Sequence, residues 1–307
     1  MLSRQRYNVF GTLAILLWSC VISLTRFVAE YFGPVGGAAL LYTVSSVLLM
    51  LTVGMPKFSQ IPKKYLILGG VMFACYEIFL SLALGMANSR QQALDMAIIN
   101  YLWPALTVVI ATLISKKPTP IALYPLIMAA FVGVVWCVSG DQPLSWATLV
   151  SNIQSNPLTY TLALSGAFIW ALYCNLTQKW SNGINAITPF FMLTAITLWI
   201  HLLFVDEPSF TFTWTNSSVL LLSAAVMAGG YGLWNIAIIG GNMIFLATLS
   251  YFTPVISIFI SSIVFAIALS WSFWQGVIIV TLSSLGCWWL TREKSEKSRI
   301  TEIEQPQ

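Results

Sequence analysis

The sequence predicts an all-α membrane protein: ten transmembrane helices arranged as two inverted five-helix repeats, with both termini cytoplasmic. Three observations carry that expectation. The 307-residue chain is 58% hydrophobic and only 8% charged, with a mean hydropathy of +0.83, whereas a soluble domain carries about 25% charged residues. Ten stretches are apolar over roughly the 20 residues that a hydrocarbon core requires. A Tyr-x-x-Pro motif also occurs twice, as Tyr101-Leu102-Trp103-Pro104 and Tyr251-Phe252-Thr253-Pro254, one copy in each half of the chain.

The first span, 8–29, follows Arg4 and Arg6. It is too long for the apolar region of a signal peptide and lacks an Ala-x-Ala site, so it reads as a retained anchor. Spans at 35–54, 65–87, 92–114 and 120–139 complete a first repeat over residues 1–139. Residues 140–157, opening Gly-Asp-Gln-Pro, form the longest connection and read as an extracytoplasmic linker loop. The second repeat, within 158–291, has spans at 158–178, 187–205, 217–238, 243–267 and 271–291. A charged cytoplasmic tail, 292–307, ends in Gln-Pro-Gln and reads as disordered.

Orientation follows from the basic residues, because short loops rich in Lys and Arg stay in the cytoplasm. With the N-terminus inside, the inner segments hold Arg4, Arg6, Lys57, Lys63, Lys64, Lys116, Lys117 and Lys179, and the tail adds Arg292, Lys294, Lys297 and Arg299. Arg26 and Arg90 alone fall toward the outer face, where the loops carry Asp141, Asp206 and Glu207. The net charge of +4 therefore tracks the inner membrane face and implies no nucleic-acid partner. Membrane lipid is the surrounding medium, and the oligomeric state is not legible.

The halves correspond beyond the paired motif. Ala97 matches Ala247 and Ile110 matches Ile260; Trp18 and Thr25 fall on Trp170 and Thr177; Tyr76 falls on Tyr231; Gly133 and Trp136 fall on Gly286 and Trp289. Five spans per repeat mean that the second half enters the membrane from the opposite side. Inverted repeats give a protein two equivalent openings, the geometric basis of alternating access around a midplane site. The competing reading is an old duplication whose halves only pack together.

Enzyme motifs are absent. One histidine, His201, excludes a His-x-x-x-His zinc pair, and no Gly-x-x-x-x-Gly-Lys phosphate loop is present. No cofactor, metal or ATP partner is expected, and a gradient is left to drive any transport. All five cysteines lie within spans and suggest neither a disulfide framework nor a metal site.

Ionisable residues inside spans are costly and normally face a cavity. Glu77 lies deepest, near the middle of the third span. It reads either as a carboxylate that binds a substrate ammonium or carries a coupling proton, or as a buried glutamate bonded to a neighbouring helix. Asp95 opens the fourth span near Arg90. It is a second coupling candidate, although a helix N-terminus favours an acid there in any case.

Aromatic residues, with 13 Trp, 11 Tyr and 18 Phe, exceed what interfacial belts require. Asn100 and Trp103 share a face of the fourth span, Trp170 and Tyr173 lie together on the sixth, and Tyr231, Trp234 and Asn235 cluster on the eighth. Tyr76 adjoins Glu77 and Tyr251 lies on the ninth. Flat rings stack on Trp and Tyr and attract a cationic ammonium over their faces, while Asn and hydroxyl groups bond a zwitterion without full charge. The plainer account is that these aromatics fill helix–helix space. Pro104 and Pro254 remove backbone donors at matched positions and suggest paired hinges or gates. Simple tolerance of proline in membrane helices competes with that reading.

Several motifs carry a family resemblance: Gly33-Pro34-Val35-Gly36-Gly37-Ala38-Ala39, Tyr76-Glu77, Asn100-Tyr101-Leu102-Trp103-Pro104, Gly166-Ala167-Phe168-Ile169-Trp170-Ala171, Ser250-Tyr251-Phe252-Thr253-Pro254 and Ser272-Phe273-Trp274-Gln275-Gly276. Together they resemble the YddG-type aromatic amino acid exporters of bacterial inner membranes, members of the drug/metabolite transporter superfamily with EamA-like repeats. The resemblance spans about residues 4 to 292. It implies a ten-helix exporter of Phe, Tyr and Trp, with other amino acids and some toxic cations as further substrates, and a cavity lined from the first, third, fourth, sixth, eighth and ninth spans. A multidrug or organic-cation exporter of the same superfamily is the alternative. It is weakened because the first span has no mid-span acid. An intramembrane enzyme and a receptor are disfavoured by the missing motifs and the small loops.

Overall fold

The computed structural model describes residues 4–86, 88, 92, 96, 98–115, 120–139, 146–207, 209–264 and 269–303. Among these residues helix is the only regular secondary structure. The helices are α1 (Arg4–Phe32), α2 (Pro34–Thr52), α3 (Gly70–Gly85), α4 (Trp103–Ser115), α5 (Leu123–Ser139), α6 (Trp146–Ser155), α7 (Pro157–Trp180), α8 (Ile187–Leu202), α9 (Trp214–Gly240), α10 (Met243–Leu249), α11 (Phe252–Val264) and α12 (Trp271–Ile303). Among the described residues, four stretches are long and apolar enough to cross a membrane: Pro34–Thr52, Tyr65–Leu84, Pro157–Trp180 and Trp214–Gly240. Shorter apolar helices cover Ile98–Ile114, Leu123–Trp136, Ile187–Leu202, Met243–Ser257 and Trp271–Cys287. Large apolar side chains on the outer faces, such as Leu51, Leu113 and Ile121, are exposed, as lipid contact requires.

Local chemistry sets the element ends. Pro34 and Pro157 open α2 and α7, where the missing N–H would lack a helical partner anyway. The chain reaches α2 through Gly33, whose φ of 82° few L-residues adopt. Thr213 and Asn216 form a reciprocal capping box at the start of α9. The Asn242 side chain accepts from the amides of Ile244 and Phe245 to start α10.

Helix is interrupted at both copies of the Tyr-x-x-Pro motif. Helix over 98–100 gives way to a turn at Tyr101 and Leu102 before α4, and α10 gives way to Ser250 and Tyr251 before α11. At both breaks the hydrogen bonds tighten to three-residue spacing: Leu102 N–H donates to the Ile99 carbonyl at 3.0 Å and Tyr251 N–H to the Thr248 carbonyl at 3.3 Å. Pro254 cannot donate to the Ser250 carbonyl, which accepts from Thr253 N–H at 3.0 Å instead.

Two segments differ from the sequence expectation. The linker 140–157 contains α6, on which Trp146, Leu149, Val150 and Ile153 recur at helical spacing. The tail, read as disordered, continues α12 to Ile303. No glycine or proline interrupts the chain between Gly286 and Pro306, and straight-chain Glu and Lys sustain a helix. Of the candidate site residues named from the sequence, Asp95 lies outside those described, as do Arg90, Ala97, Lys116, Lys117 and Asp141 among the other residues named.

Several helix pairings correspond between the two halves of the chain, although α1 also packs on α2. α1 packs along α9, and α3 packs along α7. α2 lies against α9 and α3 against α8; α4 crosses α7 and α1 crosses α11. Within each of these three sets, one pairing becomes the other when helices are exchanged by the sequence correspondence that sets Trp18 on Trp170 and Tyr76 on Tyr231. α5–α12 and α2–α8 map onto themselves. Side-chain detail follows the same exchange. A Cβ on Gly133 would meet Val280 Cγ2 at 2.9 Å, and one on Gly286 would meet Leu126 Cδ1 at 2.9 Å.

The turns repeat this relation. The Glu207 carboxylate, beyond α8, accepts from Val35 N–H and Gly36 N–H at the start of α2, both at 2.8 Å. Thr188, at the start of α8, donates from Oγ1 to the Gly54 carbonyl beyond α2 at 2.9 Å.

Candidate functional site

The crossing of α1, α3, α4, α7 and α9 encloses a box of rings. Trp170 of α7 is 2% exposed and lies between two tyrosines. It stacks on Tyr76 with centroids 4.6 Å apart and planes 27° from parallel, and on Tyr173 at 5.0 Å and 20°. Trp103 meets Trp170 and Trp234 edge-on, at 6.3 and 5.6 Å. Tyr231 closes the box against Trp170 at 5.9 Å. The offset and T-shaped geometries are those that aromatic quadrupoles favour.

Trp18, of α1, belongs to the same box although helical-face reasoning did not single it out as a site residue. Its indole contacts Trp234 at 4.9 Å, Tyr231 at 5.1 Å and Trp170 at 6.1 Å. Gly230 makes room for it, since a Cβ there would sit 2.8 Å from Trp18 Cδ1. The repeat correspondence had marked this position, because Trp18 falls on Trp170 as Tyr76 falls on Tyr231. The contact between Trp18 and Tyr231 is thus the counterpart of the stack between Trp170 and Tyr76. Phe73, Phe190 and Phe191 fill the remaining side of the box, and no motif distinguished them from ordinary core.

Polar groups reach the box from fixed positions. Glu77, 7% exposed, follows Tyr76 on α3, and the hydroxyls of Tyr42 and Tyr231 lie beside its carboxyl. Its Oε1 is buried without a hydrogen-bond partner, as are Asn100 Oδ1, Trp18 Nε1 and Trp234 Nε1. Two acceptors and two donors are therefore left unsatisfied among the rings, where an unmet polar group costs about 1–3 kcal/mol. Such a constellation suits a ligand that carries both polarities.

Asn235 and Tyr251 are placed differently from the other sequence candidates. Asn235 lies in the same region but is bound to protein: Tyr173 Oη donates to its Oδ1 at 2.6 Å, and its Nδ2 donates to Tyr65 Oη at 3.2 Å and to Asn185 Oδ1. Tyr251 is fully buried in a second cluster with Ala105, Val108, Phe273 and Cys287, apart from the box. Its repeat counterpart Tyr101 packs on that cluster too. Tyr251 sits in the turn between α10 and α11 rather than on a continuous helix. Pro104 and Pro254 are buried just beyond the interruptions. Among the described residues no cluster of His, Cys, Asp or Glu forms a metal site.

Comparison with known proteins agrees with this architecture. A solved crystal structure superposes with a TM-score of 0.75 over 94% of this chain and all of the other, at 18% identity, which is likeness of fold alone. No protein-family model matches the chain. Two curated proteins do. The chain is 43% identical over 292 residues to the aromatic amino acid exporter YddG of Escherichia coli, covering 95% of this chain and 99% of that protein. It is 41% identical over 293 residues to the protein of the same name from Salmonella typhimurium, covering 95% and 100%. With these relatives and its apolar helices, it is a multi-pass protein of a bacterial inner membrane. At this identity, sustained over nearly the full length of both relatives, the chain belongs to the YddG family of the drug/metabolite transporter superfamily.

Proposed function

We propose that this chain is a secondary exporter that moves Phe, Tyr and Trp out of the cytoplasm by alternating access, without ATP, cofactor or enzymatic chemistry. In this reading ten spans form two inverted repeats with both termini cytoplasmic, and the box is the midplane substrate site. The observation that carries the reading is the box itself, in which Trp18 with Tyr231 and Trp170 with Tyr76 form two repeat-related pairs, with unsatisfied donors and acceptors among the rings. The names of the two relatives support the same substrate class.

The substrate ring stacks among Trp18, Tyr76, Trp103 and Trp170. Its ammonium is held by Glu77 Oε1 and Asn100 Oδ1, and its carboxylate by the indole N–H groups. Burial of the ring supplies affinity, and the polar contacts supply orientation. Pro104 and Pro254 serve as matched hinges where the fourth and ninth spans bend. Glu77 and Asp95 are the residues available to carry a coupling proton.

Glu77 among aromatic rings also fits an organic cation, which favours the multidrug reading as the second choice. Counterflow separates the two. Proteoliposomes preloaded with unlabelled phenylalanine and given labelled phenylalanine, with no imposed ion gradient, are expected to accumulate label, and aromatic amino acids to block it. Absence of phenylalanine counterflow, together with dication movement that follows a pH gradient, replaces the proposal with the cation reading.

A further inference from the structure

We propose that Asn235 is the latch of a one-sided gate, sealing the box at the end that carries the α7–α8 and α9–α10 turns. This inference rests on the alternating-access reading above and assigns Asn235 a role other than contact with substrate. The amide is already committed: its acceptor holds the Tyr173 hydroxyl at 2.6 Å, and its donors meet Tyr65 Oη at 3.2 Å and Asn185 Oδ1. A buried amide with its acceptor and its amino group both bonded to protein has little left to offer a ligand.

The partners come from four separate segments. Tyr65 lies in the π-turn that leads into α3, Tyr173 in α7, Asn185 in the α7–α8 turn and Asn235 in α9. Asn185 Oδ1 also accepts from Ile187 N–H at 3.0 Å, and Gln178 Nε2 donates to the Gly241 carbonyl at 3.1 Å nearby. Opening a path at this end must part these segments, and the Asn235 bonds join three of them to α9 at one point, with the Gln178 bond beside them.

Repeat correspondence sharpens the assignment. With the offsets that align Trp18 with Trp170 and Tyr76 with Tyr231, Tyr173 falls on Val21, Asn235 on Leu80 and Tyr65 on Leu220. The other end of the molecule has no polar counterpart at these positions; it is tied elsewhere, by Asn156 Nδ2 donating to the Met86 carbonyl at 2.9 Å and Gln92 Nε2 donating to Ser155 Oγ at 3.1 Å, so the Asn235 set belongs to one end alone. The latch is also linked to the box. Tyr173 stacks on Trp170, which stacks on Tyr76, so a substrate ring that settles against Trp170 sets the position of the hydroxyl that Asn235 holds.

Cys174 provides the probe, being fully buried beside Tyr173. In a variant that keeps Cys174 and replaces Cys20, Cys75, Cys137 and Cys287 by serine, a membrane-impermeant maleimide is applied to either face of sealed vesicles. Asn235→Leu and Tyr173→Phe are each expected to raise labelling from the cytoplasmic side by about tenfold, as when a minor open state becomes a major one. Labelling from the outer side stays unchanged. Tyr173→Phe keeps the ring and removes only the hydroxyl, so it carries the test if Asn235→Leu fails to fold. Unchanged labelling in both variants, or a rise from the outer side, overturns the latch. Labelling reads the gate without substrate. Loss of phenylalanine counterflow in the unmodified protein, with labelling as expected, would fault the proposed substrate and leave the latch standing.

Discussion

Trp170 is the side chain on which the box depends most, because it touches Tyr76, Tyr173, Trp18, Trp103 and Tyr231. On the proposed function, Trp170→Ala removes stacking worth about 0.5–1.5 kcal/mol per ring pair. Phenylalanine half-saturation in counterflow is expected to weaken about 10-fold or more, with threonine affected less. Equal loss for both substrates would assign the residue to packing. Glu77→Gln keeps the shape and removes the charge. If Glu77 carries a coupling proton, export in this variant loses its dependence on pH while counterflow persists; an unchanged pH profile makes Glu77 structural. At this scale helical spacing and the repeat correspondence pointed to most residues of the box. Tyr76, Glu77, Asn100, Trp103, Trp170, Tyr173, Tyr231 and Trp234 do gather in one place. It was uninformative for Asn235, because nothing in a face pattern tells that Tyr65 and Asn185, distant in sequence, complete its bonds.

Elements were legible where chain chemistry dictates a boundary and less so where tertiary packing does. Pro104 and Pro254 announce the two interruptions, yet the turn falls at Tyr101-Leu102 and at Ser250-Tyr251, ahead of each proline. The direction that Tyr251 takes there could not be read from helical periodicity. α6 was hidden because its ten residues are too few to span a membrane and sit among loop-forming residues. On the hinge proposal, Pro254→Ala lets the ninth span run straight by restoring a donor to the Ser250 carbonyl. Substrate binding, followed by tryptophan fluorescence, is expected to survive while the exchange rate falls. Retained exchange would make the proline a tolerated kink. Glu207→Ala removes the carboxylate that caps α2 and is expected to lower thermal stability by about 1 kcal/mol, measured in detergent by loss of monodisperse protein on heating.

Across the whole molecule, the weak internal similarity of the sequence corresponds to a set of helix pairings that exchange with one another. Matched glycines carry the α5–α12 contact, where Gly133 faces Val280 and Gly286 faces Leu126. Gly133→Leu overfills that contact and is expected to destabilise the protein by about 1–3 kcal/mol, with Gly286→Leu behaving alike in the same melting measurement. Unequal effects would show that the two halves of the contact bear load differently.

The exchange relation also fails at the acid of the box: the position equivalent to Glu77 is Gly232. On the proposed function, Glu77 bears on the electrical character of the carrier. If Glu77 stays charged at mid-membrane in both orientations, a zwitterion crosses without carrying net charge. Its flux is then indifferent to membrane voltage, which would otherwise contribute about 2.3 kcal/mol per elementary charge for every 100 mV. A bacterium could then shed excess aromatic amino acid at the same rate whether energised or starved, its export set by concentration alone.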